Sequence, residues 1–116
     1  MLIGELARRT EVSKRSLRYY EAQGLLSAAR GVNGYREYDE ESQATVRRVR
    51  TLLDAGLSTE VIRALLPCAR GEGAGFAFEL CGEVREVLGR ELASADARID
   101  GLRRSREALA GYLSPV

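Results

Sequence analysis

The final third of the sequence constrains the fold most. From about Phe78 to Leu113 it reads as one helix in which Cys81, Leu88, Leu92, Ala95, Ile99, Leu102, Leu109 and Leu113 recur on an alternating rhythm of three and four. Arg85 and Arg106 interrupt that seam. A helix of about 35 residues is roughly 50 Å long, and the chain before it is large enough only for a small domain. The apolar stripe therefore cannot all be buried within one protomer. A partner helix from a second copy supplies the missing surface, so the expected assembly is a two-fold homodimer joined by a coiled coil along Leu88, Leu92, Ala95, Ile99, Leu102, Leu109 and Leu113. Gly89 and Gly101 lie off the seam and weaken the helix by roughly 1 kcal/mol each relative to alanine, which is tolerable once the dimer forms.

A net charge of +1 over 116 residues hides an asymmetry. Residues 1–50 carry ten Lys/Arg against seven Asp/Glu and the remainder eight against ten, so a polyanion-binding surface belongs in the first half. Arg8 and Arg9 arrive too early for a signal peptide and no apolar run approaches a bilayer span, so a cytoplasmic protein without a membrane partner is expected. Histidine is absent, and no carboxylate pair or nucleophile–base arrangement presents itself. Asp39-Glu40-Glu41 reads as helix capping, with acids at a positive dipole end. An enzyme is not expected, and no cofactor is assigned.

Within the first half, Val12-Ser13-Lys14-Arg15-Ser16-Leu17-Arg18-Tyr19-Tyr20-Glu21 reads as a short basic helix capped by Ser13. Its spacing turns Val12, Leu17 and Tyr20 inward and Lys14, Arg15, Arg18 and Tyr19 outward. Three cations and a phenol on one face suit a phosphate backbone with base edges beneath it. Ile3–Arg9 reads as the helix before it, with Leu2, Ile3, Leu6 and Ala7 inside, and the pair makes a helix-turn-helix. Gly24 closes the basic helix, and Asn33-Gly34 reads as a two-residue hairpin turn between short strands within 26–32 and 35–38. Tyr35, Arg36 and Tyr38 then stand at or beside a hairpin tip, within reach of a backbone or minor groove, although Tyr35 and Tyr38 also suit the cover of a core. Asp39 caps a third helix that buries Ala44, Val46, Val49, Leu52 and Leu53 and wets Arg47, Arg48 and Arg50, ending at Gly56. Ser58 caps a fourth that ends near Leu66 before Pro67, with a second wing-like element beside it and Arg63 as its outward cation. The organisation expected is a DNA-binding domain over 1–70, a Gly-rich connection over 71–77 and a dimerisation helix over 78–113.

Ile3-Gly4-Glu5-Leu6-Ala7, Val12-Ser13, Leu17-Arg18-Tyr19-Tyr20-Glu21, Gly24-Leu25-Leu26, Gly34-Tyr35-Arg36 and Tyr38 together resemble the N-terminal domain of the mercury-resistance (MerR) family of bacterial transcription regulators. The resemblance is close over about 1–70; the long helix is similar only in kind and placement. It implies a mainly α fold, a winged helix-turn-helix followed by a long antiparallel coiled-coil dimerisation helix. It also implies a homodimer that binds double-stranded DNA at a pseudo-palindromic promoter operator. Such dimers distort the duplex to control RNA polymerase access or the alignment of promoter elements, so RNA polymerase is an expected partner. Carried over by position, Arg18 and Tyr19 match contacts to DNA, with Ser13 at the head of their helix. Lys14 and Arg15 fall at the variable positions that sample base edges, and Tyr35 and Arg36 match a wing contact to the backbone.

The signal is less constrained. Metal-sensing relatives carry cysteines at the far end of the dimer helix and drug-sensing ones an added domain, whereas here the cysteines are Cys68 and Cys81, on either side of the Gly-rich stretch, and no effector-binding domain is expected. Thiol oxidation, a bridging two-thiolate ion, or zinc held by four thiols from two chains all use these two as the sensing candidates. Simple burial of Cys81 in the seam, with Cys68 an incidental neighbour, is the plainer explanation of the pair. A small-ligand regulator with an apolar pocket walled by Phe76 and Phe78 near the base of the long helix, and a constitutive architectural DNA-binding protein, are the other readings.

Overall fold

The first helix of the protein, α1 (Ile3–Thr10), turns into α2 (Lys14–Ala22) through Glu11, whose φ of 58° is left-handed. At α2 Ser13 caps as expected, its Oγ accepting from the Ser16 amide at 3.1 Å. A hairpin of two short strands follows, β1 (Ala29–Arg30) and β2 (Arg36–Glu37), antiparallel with Ala29 opposite Glu37 and Arg30 opposite Arg36. Then come α3 (Glu40–Asp54), headed by Asp39 Oδ1 accepting from the Ser42 amide at 2.9 Å, and α4 (Thr59–Leu65), headed by Ser58 Oγ accepting from the Val61 amide at 3.2 Å. A single 3-10 turn at Leu66–Cys68 leads into a second hairpin, β3 (Ala69–Arg70) against β4 (Ala77–Phe78), and the chain finishes in α5 (Gly82–Leu113). This computed structural model describes residues 1–71 and 76–115 and divides into two units, Met1–Leu80 and Cys81–Val116.

Glycine closes α2 and α3 in the same way. Past α2 the amides of Gly24 and Leu25 return to the carbonyls of Glu21 and Tyr20, and past α3 those of Gly56 and Leu57 return to Leu53 and Leu52. These Schellman closures need a left-handed residue, and Gly24 (φ 74°) and Gly56 (φ 87°) supply it without a Cβ clash. The closures also aim Leu25 back into the core, where it joins Leu6, Val12, Leu17, Tyr20 and Tyr38 with Val46, Val49 and Ile62 of α3 and α4. Leu6, Leu17, Val46, Val49, Ile62 and Leu65 are fully buried, each contributing about 1.5–3 kcal/mol.

Several local expectations are corrected. Leu2 caps α1 and is half exposed rather than part of its inner stripe, because the helix starts only at Ile3. The first hairpin does not turn on Asn33-Gly34 alone. The Gly34 amide donates to Gly31 O and the Gly31 amide to Tyr35 O, so Val32 and Asn33 form the turn and Gly34 (φ 78°) the left-handed residue after it, a longer loop with shorter strands. Arg48 is not on a wet face: its side chain is 11% exposed, held by Glu41 at 3.2 Å and by the Gly71 carbonyl at 2.5 Å. Residues 77–78 pair as β4, so the long helix starts at Gly82 rather than near Phe78, and Cys81 is its exposed N-cap rather than a helical seam residue. Part of the Gly-rich stretch, 72–75, lies outside the described residues.

The C-terminal unit is α5 itself, 32 residues and so about 48 Å long. Leu92, Ile99, Leu102, Leu109 and Leu113 are exposed along it, from 45% for Ile99 to 86% for Leu113, while Leu88 and Ala95 are partly covered. No helix among the described residues is long and apolar enough to cross a membrane.

Candidate nucleic-acid interface

The outward face of α2 carries Lys14, Arg15, Arg18 and Tyr19, all exposed, as the spacing predicts. Among the described residues none of the three cations has an acidic partner. That separates them from most arginines of the same unit. Arg8 and Arg9 lie on Glu5, Arg47 and Arg50 donate to the carbonyls of Arg9 and Glu11 at 3.2 and 3.3 Å, and Arg63 donates to Gln23 O at 2.7 Å. Arg63, expected as an outward cation of a second wing, is thus occupied at the carboxyl end of α2, where a cation complements the helix dipole. Ser13 spends its hydroxyl on the helix cap.

The first hairpin is tied to α2 through one carboxylate. Glu21, on the last turn of α2, accepts from the Tyr38 hydroxyl at 2.8 Å and forms an ion pair with Arg36. Tyr38 is 4% exposed, so its ring belongs to the core and only its hydroxyl reaches Glu21; the expected outward Tyr38 is corrected to a buried one. Its main chain is also held, the Met1 ammonium donating to Tyr38 O at 2.6 Å and the Tyr38 amide to Met1 O at 2.7 Å. Tyr35 stands out at 68% exposed, and the Arg36 side chain is 60% exposed. Between α2, the start of α1 and the hairpin lies a cleft of about 600 Å³ whose rim carries Arg18, Arg30, Tyr35 and Arg36 and whose floor includes Leu2, Ile3 and Tyr38.

Arg30 is the residue that sequence reasoning missed. It sits directly opposite Arg36 in the β1–β2 ladder, and its guanidinium donates to Gly34 O at 3.2 Å. Like charges placed opposite each other on strands repel; an anion between or beyond them removes that cost. The signal was available in principle, because pairing Tyr35–Tyr38 against the residues before Gly31 brings Arg30 alongside Arg36, but only with the correct turn.

The other candidates separate. Cys68 is partly buried in the 3-10 turn and Cys81 exposed at the head of α5. Among the described residues no group of three or more His, Cys, Asp or Glu side chains is placed to hold a metal ion. Phe76 and Phe78 pack edge to face, 5.6 Å apart at 83°, against the core of the N-terminal unit. In that position they cover the core of that unit. Burial raises the pKa of Tyr20, with Arg50 lowering it and Asp54 raising it further.

Comparison with known proteins bears on this surface. The model of the MerR HTH family of regulatory proteins matches residues 1–68. The chain is 33% identical over 116 residues to heavy metal-dependent transcription regulator 2 of Rhizobium meliloti, covering 97% of this chain and 76% of that one. It is 37% identical over 102 residues to the nodulation protein NolA of Bradyrhizobium elkanii, covering 87% of this chain but 44% of NolA. Among solved structures, the transcription regulator PbrR691 of Ralstonia metallidurans CH34, crystallised with lead(II), superposes with a TM-score of 0.75 at 27% identity, over 96% of this chain and 83% of that one.

Proposed function

The chain belongs to the MerR HTH family of regulatory proteins, and from that premise we propose that it is a homodimeric, non-enzymatic transcription regulator that binds a two-fold symmetric site in double-stranded DNA. The DNA-binding domain lies within the unit Met1–Leu80, and α5 (Gly82–Leu113) is the dimerisation helix. The observation that carries the reading is the face of α2. Lys14, Arg15 and Arg18 are exposed without acidic partners, while the neighbouring arginines are spent on internal contacts.

On DNA, α2 lies in the major groove, where Arg15 and Arg18 read base edges with Lys14 beside them, and Tyr19 contacts the DNA next to Arg18. Tyr35 and Arg36 hold the backbone beside the groove, with Arg30 joining them, and Tyr38 acts from beneath by fixing Glu21 and the hairpin rather than by touching DNA. Each dimer presents two such faces, so the separation of the half-sites depends on how the two α5 helices are clasped. Bending or untwisting the duplex between the half-sites changes how promoter elements face RNA polymerase, which makes DNA deformation the regulatory output.

The relatives named for heavy metal or solved with lead(II) raise the question of a resident metal. Among the described residues of one chain no group of three or more donors is gathered to hold one. No metal step enters the mechanism. A chemical signal, where one acts, is assigned to the thiols of Cys68 and Cys81, and alkylating them in the purified dimer and measuring operator binding tests that assignment.

The test of the main reading is a titration of labelled duplex with wild type and Arg18→Ala at fixed salt. Loss of one bidentate base contact per half-site costs about 1–3 kcal/mol each, and the salt slope flattens in proportion to the phosphate contacts removed. An Arg104→Ala variant, exposed on α5, serves as the control and should bind as wild type. Equal affinities for all three proteins contradict the assignment of α2.

A further inference from the structure

Glu21 is an acid among the cations assigned to DNA, and both of its oxygens are taken. Oε1 accepts from the Tyr38 hydroxyl at 2.8 Å, and Oε2 forms the ion pair with Nη1 of Arg36. Neither partner lies on α2. The nearest cation before Glu21 on that helix is Arg18, three residues back, a spacing at which acid and base on a helix ordinarily meet. Among the described residues Arg18 nonetheless has no acidic partner.

A guanidinium is a planar fork of donors, able to serve two acceptors at once. In Arg36 only Nη1 is engaged by Glu21, and among the described residues the guanidinium makes no other hydrogen bond. The arginine side chain is 60% exposed and that of Glu21 16%, so the carboxylate is the sheltered member of the pair and the arginine the outer one. Arg36 lines the same cleft as Arg18 and Arg30. A bare carboxylate at the edge of that cleft would repel a phosphate. One held on both oxygens, by a hydroxyl and by a cation, turns an arginine outward instead.

Resting on the DNA-binding reading above, we propose that Glu21 is a positioning residue of the interface: gripped on both oxygens by the hairpin, it aims the free edge of Arg36 at a phosphate and leaves Arg18 unpaired for the base edges. Were Arg36 to let go of Glu21 in order to reach DNA, the carboxylate would face the incoming phosphates with Tyr38 as its one partner. Keeping the pair sets a cation between two anions, with charge-assisted hydrogen bonds on both sides of it. Loss of Arg36 has a second consequence. Oε2 of Glu21 is then open one turn from Arg18 and draws that guanidinium off the groove. The effect of Glu21 on DNA binding therefore changes sign with Arg36: favourable while the arginine is present, unfavourable once it is gone.

The test is a cycle of wild type, Glu21→Gln, Arg36→Ala and the double variant of the full chain. Each is titrated at fixed salt into a labelled duplex that the wild-type chain selects from a random-sequence pool, with folding checked by circular dichroism. Glutamine keeps an acceptor for the Tyr38 hydroxyl and removes only the charge. Glu21→Gln alone weakens binding about threefold for each half-site, so about tenfold for the dimer, and flattens the salt dependence. In the Arg36→Ala background the same exchange tightens binding about threefold or more. Glu21→Gln that tightens binding in both backgrounds shows an acid that merely repels DNA, and one that weakens it in both shows a merely structural part; either overturns the proposal. Arg36→Lys, whose single ammonium cannot present a fork to carboxylate and phosphate, weakens binding as well, and wild-type affinity in that variant overturns the proposal even where Glu21→Gln unfolds. A wild-type chain that selects and binds no duplex overturns the DNA-binding reading itself, a separate and distinguishable failure.

Discussion

The contact that joins the first hairpin to α2 is open to a quantitative test. Glu21 holds Tyr38 by a hydroxyl hydrogen bond of 2.8 Å and Arg36 by an ion pair, and its side chain is 16% exposed. A hydrogen bond to a charged group contributes about 1.5–3 kcal/mol net. Tyr38→Phe removes it without opening a cavity, and the remaining Arg36 contact keeps the carboxylate satisfied, so the loss should fall at the lower end, about 1.5 kcal/mol. The Arg36 pair, with 60% of the arginine side chain exposed, contributes less, about 0.2–1 kcal/mol. Glu21→Ala removes both and leaves the Tyr38 hydroxyl without its acceptor, for about 2–3 kcal/mol in all. Urea unfolding followed by circular dichroism at one protomer concentration measures each value, since association otherwise shifts the midpoint. In the double variant the two changes should fall short of additive by about 1 kcal/mol or more. Tyr38→Phe within about 0.5 kcal/mol of wild type, or full additivity, refutes the reasoning that this carboxylate fastens the hairpin.

Three further outcomes rest on particular residues. Glu11, at φ 58° between α1 and α2, carries a left-handed cost that glycine avoids, so Glu11→Gly should raise the urea midpoint by the equivalent of about 0.5–1 kcal/mol; a lower midpoint contradicts this. Burial raises the Tyr20 pKa above its unfolded value of 10.0, so its neutral form is favoured by folding; that stability is fully present below pH 10 and is lost as pH rises through the folded pKa. Tyr20→Phe should therefore narrow the gap in stability between pH 8 and pH 11, and an unchanged gap counts against the burial argument. Arg30→Ala should weaken binding to DNA and flatten its salt dependence without lowering stability, because its loss also relieves repulsion by Arg36 across the ladder; unaltered DNA affinity removes Arg30 from the interface.

Much of this was legible in the sequence because local rules and packing agree there. Ser13, Asp39 and Ser58 are caps whose chemistry acts within one turn, and Gly24 and Gly56 close helices for reasons of backbone freedom alone, so no knowledge of the rest of the chain is needed. The outward face of α2 follows from its period. What escaped depends on pairing across the chain. Asn33-Gly34 suits a two-residue turn on its own, yet the bond from the Gly31 amide to Tyr35 O enlarges the loop, and that one change of register decides that Arg30 faces Arg36. Tyr38 and Arg48 look outward by composition but are drawn in by partners at a distance in sequence, Glu21 for one and the Gly71 carbonyl for the other. The second hairpin strand at Ala77–Phe78 is two residues long, too short to leave a periodic signal, and it moved the start of α5.

Selection of bound duplexes from a random-sequence pool by the purified chain tests the central claim most directly. The account predicts enrichment of an inverted repeat whose half-site centres are a whole number of helical turns apart, about 10–10.5 bp or a multiple of it, with the Arg18→Ala variant failing to enrich it. No enriched sequence, or a single half-site bound as tightly as the symmetric pair, would contradict it.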